Sequence, residues 1–283
     1  MDALRKRVGT DLLFHAAGLA DEAGRVVVLV APSGMGKTTA ARTLGTTLGY
    51  VSDESVAIRR DGTVGAYPKP LSLVKGENRT RKIEVSPREA GLRRHPDTLV
   101  FSRLVLLVRD PDHQGPPVVE EMDLLDAAVQ AAAQTSGLAK LEAPLDWLAR
   151  SLTTGGDPVT VKYREIYDGA SLIHDLLAET SPKTVTWTHH ATSGGFPPKP
   201  GGWARNPYVD AIESSGRALV LTEQGVVLLD GIGALVWLAA ERSVTKEAFL
   251  ERALVTLGPH PDAKEILDGA LTQLVKLGLL STA

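Results

Sequence analysis

Arg25-Val-Val-Val-Leu-Val30 runs into Ala31-Pro-Ser-Gly-Met-Gly-Lys-Thr38, and Thr39-Ala-Ala-Arg-Thr-Leu44 follows. An apolar β-branched run, a glycine loop ending in Gly-Lys-Thr and a helix-forming segment are the context of a phosphate-binding loop. Ala31 stands where that pattern has its first glycine. The glycines let backbone N–H groups turn inward around phosphate oxygens. The helix that opens after the loop adds the positive end of its dipole. On this reading Ser33, Gly34, Met35, Gly36, Lys37, Thr38 and Thr39 hold the phosphates of a nucleotide. Lys37 reaches the β- and γ-phosphates and Thr38 ligates Mg²⁺. The motif names a nucleotide, ATP or GTP, and not a reaction.

Working outward, Leu12 to Ala17 and Arg25 to Val30 read as strands and Thr38 to Leu48 as the helix after the loop. Tyr50-Val-Ser and Val56-Ala-Ile58 bracket the acidic pair Asp53-Glu54. Thr98 to Val108 is the strongest later strand. Leu124 to Gly137, Leu145 to Leu152 and Ala170 to Thr180 predict helices. The first part of the chain is therefore α/β, and residues 1–187 form its domain. Residues 188–207, dense in Gly and Pro, read as a linker, and its adjacent His189 and His190 lack the second ligand pair a metal site needs. Residues 208–283 then carry three short strands, Tyr208 to Glu213, Arg217 to Thr222 and Gly225 to Leu229. Helices follow at Ile232 to Glu241, Thr245 to Leu257 and Pro261 to Leu277, with Thr245 as an N-cap. Strands followed by segregated helices predict a small α+β module of winged helix-turn-helix type.

Composition narrows the classes. At 283 residues the chain suits about two domains. A net charge of −3 gives no basic footprint for nucleic acid. The absence of cysteine excludes disulfides and thiolate chemistry. No apolar run approaches the roughly 20 residues that span a bilayer, and Met1 to Arg7 lacks the apolar core of a signal peptide. A cytoplasmic protein with no membrane partner is the expectation.

Two further groups carry chemistry. Asp53, with Glu54 beside it, falls just past a strand end, where sheet ligands bind. A carboxylate there could hold Mg²⁺ through water or take a proton from an attacking hydroxyl. His15 ends the strand upstream of the loop strand and could orient such a carboxylate or share its proton.

His15, the loop at 31–38 and Val51-Ser-Asp-Glu-Ser-Val56 together resemble the HPr kinase/phosphorylase family, with Glu54 in place of a second Asp. Tyr67-Pro-Lys-Pro-Leu-Ser-Leu73 resembles a segment of HPr-kinase-like proteins from peptide-modifying clusters, and the likeness spans Leu12 to Leu177. The resemblance implies Lys37 and residues 34–39 on the triphosphate, Thr38 on Mg²⁺, Asp53 as general base toward a Ser or Thr hydroxyl, Glu54 beside it and His15 tuning it. The later glycine-rich signature and the regulatory N-terminal domain of the bifunctional enzymes have no counterpart here. Arg79, Arg81 and Arg103 are candidates for transition-state charge, although each taken singly reads more readily as a surface or structural charge.

The C-terminal module resembles the PqqD-like precursor-peptide recognition domains. The carrying residues are Gly225-Val-Val-Leu-Leu-Asp-Gly-Ile-Gly-Ala-Leu-Val-Trp237, Val244-Thr-Lys-Glu-Ala-Phe249 and Leu274-Val-Lys-Leu-Gly-Leu-Leu280. That resemblance implies a leader peptide added as a strand to an exposed sheet edge and packed on the third helix. Together the two imply an ATP-dependent kinase of a ribosomally made precursor peptide, lasso-type precursors included, with self-association left open. The alternative is a non-catalytic, nucleotide-gated subunit that delivers the peptide to another enzyme.

Overall fold

The computed structural model describes residues 7–75, 81–167, 169–179 and 183–283, with backbone only at 72–75 and 81–83. The chain divides into two compact units, one of residues 1–142 and 147–185, the other of residues 143–146 and 186–283.

The first unit runs β1 (Leu12–Phe14), β2 (Ala16–Ala20), β3 (Arg25–Val30), α1 (Lys37–Leu44), β4 (Gly49–Ser52), β5 (Val56–Ile58), β6 (Val64–Gly65), β7 (Leu71–Lys75), β8 (Arg81–Val85), β9 (Arg93–Arg94), β10 (Val100–Arg109) and β11 (Val118–Glu121). It continues with α2 (Leu124–Ala132), β12 (Thr135–Ser136), α3 (Pro144–Leu152, of which residues 144–146 are counted with the second unit), β13 (Val159–Tyr163) and α4 (Ala170–Ala178). Among the described residues its main sheet has seven strands in the order β11-β13-β10-β3-β2-β4-β9. β3, β10 and β13 are parallel, with Val105 opposite Leu29 and Leu107 opposite Val161. β2 is antiparallel to both β3 and β4. β3 is buried along its length beyond Arg25, as a strand covered on both faces must be, which is why its sequence reads as an unbroken apolar run. The strand expected over Leu12 to Ala17 is two strands. The chain bends at His15 and passes from the four-stranded sheet β12-β1-β5-β6 into the main sheet.

α1 buries Ala40, Ala41 and Leu44 on one face. It stops at Leu44, short of the expected Leu48. There Thr46 and Thr47 turn their hydroxyls onto the carbonyls of Thr43 and Leu44, at 2.7 and 3.0 Å. Side chains that satisfy the last carbonyls compete with helix propagation. The same buried cluster takes in Tyr50, Tyr163, Ile173 and Leu177.

The second unit contains β14 (Thr188–His190), β15 (Gly202–Arg205), β16 (Asp210–Ser214), β17 (Arg217–Thr222), β18 (Gly225–Leu229), α5 (Gly231–Ala239), β19 (Val244–Thr245), α6 (Lys246–Leu257), α7 (Ala263–Lys276) and β20 (Leu280–Thr282). It is α+β, with an antiparallel sheet β14-β16-β17-β18, a second sheet β19-β15-β20, and helices over a core of Trp237, Phe249, Leu267 and Leu271. Thr245 caps α6 by accepting from the Ala248 N–H. The linker expected at 188–207 is corrected here: it supplies β14, paired with β16, and β15, paired with β19 and β20. Strands of three and four residues leave too few alternations to read through the surrounding glycines and prolines. His189 and His190 are not free in solvent. Their Nε2 atoms meet Asp210 Oδ1 at 2.6 Å and Glu213 Oε2 at 3.3 Å.

Candidate functional site

Three chain segments from different parts of the sequence end at one edge of the main sheet. Ala16 is opposite Val30, so His15 and the loop that starts at Ala31 share that edge. Gly18 is opposite Ser52, and two antiparallel steps make β4 point the same way as β3. Asp53, just past β4, therefore emerges at the edge where the glycine loop emerges from β3.

The loop has the backbone of an anion cradle. Gly34 and Gly36 have φ of 83° and 93°, in the left-handed region that suits glycine. A Cβ on Gly34 would meet nothing within 4 Å, so the loop faces open space there. Gly36 caps α1 without any side-chain hydrogen bond, and the Ala40 N–H bonds back to the Gly36 carbonyl at 2.8 Å. Among the described residues no side chain takes up the first-turn N–H groups, which suits an external acceptor. The Lys37 ammonium donates to the carbonyls of Ala31 at 2.6 Å and Pro32 at 3.2 Å. Lys37 is 7% exposed, and burial lowers its pKa from the ordinary lysine value. Ser33 is exposed, and Met35, Thr38 and Thr39 are half-buried along the loop and first helical turn.

Asp53 is also 7% exposed. Its Oδ1 accepts a 2.9 Å hydrogen bond from the Tyr50 hydroxyl, which also lies 3.3 Å from the Lys69 carbonyl. Burial, followed by the charge and hydrogen bond of Asp53, pushes the Tyr50 phenol far above its ordinary pKa, so it remains a donor. Glu54 pairs with the Lys69 ammonium. Burial pulls that ammonium down, but the hydrogen bond and charge of Glu54 and the charge of Asp53 outweigh it, and its pKa lies above the ordinary value. Ser52, fully buried, accepts from the N–H groups of Glu54 and Ser55 at 3.2 and 3.1 Å and shapes the turn that carries both carboxylates.

His15 is placed differently from the expectation. It sits exposed at the bend between β1 and β2, its backbone N–H bonded to the Gln134 carbonyl at 2.7 Å. Among the described residues its side chain has no hydrogen bond to Asp53; Tyr50 has that contact. Arg103 takes the structural alternative. It lies mid-strand, opposite Val27, several residues before the site edge. It is 5% exposed, and its guanidinium donates to the carbonyls of Gly155 and, at 3.2 Å, Asp157. That is a structural clamp. Arg79 and the Arg81 side chain lie outside the described residues.

Three side chains at this edge escape the sequence pattern: Tyr50, Lys69 and Tyr163, whose hydroxyl donates to the Met35 carbonyl of the loop at 3.1 Å. Tyr50 lies one strand-length before Asp53, and Lys69 lies inside the Tyr67 to Leu73 segment. Tyr163 closes Val159-Thr-Val-Lys-Tyr163, a short alternating run that fits a strand. Among the described residues no group of three or more His, Asp or Glu forms a metal cage. The donor set of Thr38, Asp53 and Glu54 suits a hard cation that takes its remaining ligands from phosphate and water.

The sequence matches no family model, and no curated protein is similar to it. Among solved structures it aligns with the Hpr(Ser) kinase/phosphatase from Coxiella burnetii at 13% identity and a TM-score of 0.31, over 59% of this chain and 93% of that one.

Proposed function

We propose that the first unit is a phosphotransferase of the HPr kinase type, using ATP or GTP with Mg²⁺, and that its acceptor is a Ser or Thr hydroxyl of a precursor peptide. The observation that carries this reading is the shared sheet edge: an uncapped helix N-terminus behind a glycine loop, with a buried lysine in the loop and a buried aspartate beside it. Residues 33–39 surround the triphosphate, and Lys37 exchanges its two loop carbonyls for phosphate oxygens. Thr38, with Asp53 or Glu54, would hold Mg²⁺, which when bound neutralises phosphate charge. Asp53 takes the proton of the acceptor hydroxyl as its oxygen bonds to the γ-phosphorus, and the nucleoside diphosphate leaves with the electron pair of the broken P–O bond. Glu54 is held by Lys69, and exposed His15 stands at the same edge.

The second unit, on this proposal, is a PqqD-like winged-helix module that binds the leader of the precursor. β18 is the last strand of its sheet and offers a free edge among the described residues. A groove of about 910 Å³ runs beside it, lined by Gly225 to Val227 and by Lys276 to Gly278 at the end of α7. An extended peptide added to β18 would gain backbone hydrogen bonds there and side-chain contacts from α7. No described helix is long and apolar enough to cross a membrane.

The test is incubation of the whole chain with ATP, Mg²⁺ and candidate precursor peptides, read by mass. Gain of one phosphate on a peptide Ser or Thr, lost in Asp53→Asn, is the expected result. Nucleotide binding with no transfer to any peptide would leave the delivery-subunit alternative. Leader binding is read by hydrogen exchange. Protection should appear at 225–229, and its absence with a peptide that is phosphorylated would refute the strand-addition reading.

A further inference from the structure

We infer that Tyr163, at the far end of β13, is a positioning residue of the phosphate loop: its hydroxyl holds the Met35 carbonyl and thereby aims the Gly36 N–H into the cradle. The inference rests on the nucleotide reading of that loop. Tyr163 donates to the Met35 carbonyl oxygen at 3.1 Å across 128 residues of sequence. That carbonyl and the Gly36 N–H belong to one planar trans peptide, in which C=O and N–H point opposite ways. Fixing the carbonyl toward Tyr163 therefore fixes the N–H away from it.

Other observations converge on the same peptide. Gly36 has φ of 93°, and a Cβ there would lie 3.3 Å from the Tyr163 hydroxyl oxygen. A side chain at 36 would crowd the phenol as well as strain the backbone. Tyr163 is 2% exposed and packed in the core that Met35 also touches, so its hydroxyl is delivered by a rigid strand end. Burial raises the pKa of the phenol above its ordinary value, with opposed smaller effects from Arg109 and Glu165, so the group keeps its proton and acts as a donor. A preset amide spares the bound state the cost of turning a peptide plane toward the phosphate.

The experiment compares wild type, Tyr163→Phe and Lys37→Ala in the full chain, using MgATP and inorganic pyrophosphate as probes. Affinity is read by calorimetry and the Gly36 amide by ¹H–¹⁵N correlation. Phenylalanine keeps the ring and its packing, so the melting temperature without nucleotide should change little. Loss of one neutral hydrogen bond should weaken both probes by about 3- to 10-fold. The Gly36 amide, displaced strongly on binding in wild type, should respond less in the variant. Equal affinities and an unchanged Gly36 response in a wild type that does bind would overturn the inference alone. Absence of binding in wild type would overturn the nucleotide reading and the inference with it.

Discussion

Tyr50→Phe isolates one oxygen. The ring is 2% exposed and lies in the cluster with Leu48, Leu71 and Leu92, so phenylalanine keeps its packing. What is lost is the 2.9 Å hydrogen bond to Asp53, together with the longer 3.3 Å contact to the Lys69 carbonyl. A hydrogen bond to a charged group contributes about 1.5–3 kcal/mol, whereas the weaker neutral contact adds about 1 kcal/mol or less. If Tyr50 holds Asp53 in the geometry that accepts the proton, the first figure appears in kcat as a loss of about 10- to 150-fold. The phosphate loop is untouched, so affinity for MgATP should stay within about 2-fold. The assay is phosphate release from MgATP with water as acceptor, followed by calorimetry of MgATP binding. Asp53→Asn run in parallel sets the floor. A Tyr50→Phe protein with wild-type kcat beside an inactive Asp53→Asn would refute the claim that this bond orients the base. An equal loss of nucleotide affinity in Tyr50→Phe would move Asp53 from proton acceptor to Mg²⁺ ligand.

Arg103→Ala should strip the Gly155 and Asp157 carbonyls of their donor and lower stability by about 2–4 kcal/mol in denaturant unfolding, yet leave MgATP affinity unchanged. Lost affinity in the folded variant would return Arg103 to the site. Asp157 has a pKa below the ordinary aspartate value. Its burial works against this, but bonds from the Thr184 hydroxyl and the Thr184 and Val185 N–H groups, with the charge of Arg103, outweigh it. Asp157→Asn should therefore be less stable than wild type above about pH 4, with the gap closing as acid protonates the folded carboxyl; a pH-independent gap would contradict this assignment. Gly24→Ala would place a Cβ 2.1 Å from the Thr98 carbonyl oxygen at a φ of +80°, and should cost about 2 kcal/mol or more by thermal melting; a variant within about 0.5 kcal/mol of wild type would show that this turn relaxes freely.

The parts of this fold that were legible are those whose signal is local. β3 and the loop could be read because a buried parallel strand is apolar throughout and the loop chemistry is contiguous. Thr245 announced α6 because a capping hydroxyl acts within one turn. What could not be read depends on how the chain turns back on itself. Nothing in Tyr50 or Lys69 alone says that the turn after β4 will bring the Asp53 carboxylate onto the Tyr50 hydroxyl, or that the irregular stretch before β7 will set Lys69 against Glu54. Tyr163 meets Met35 only because β13 lies two strands from β3. The place of His15 next to the loop strand was legible, but the bend that turns it to solvent was not, because it comes from a handover between two sheets. The 188–207 segment misled because glycine and proline density describes the turns around β14 and β15 and hides the strands themselves.

On the proposed function, the loop from Ala31 to Thr38 holds the phosphates of a nucleotide. Calorimetric titration of the full chain with MgATP, beside folded Lys37→Ala, tests it most directly. One site in wild type is expected, with a loss of at least about tenfold in affinity when the buried ammonium is removed. No binding in wild type, or equal binding by the two proteins, would contradict it.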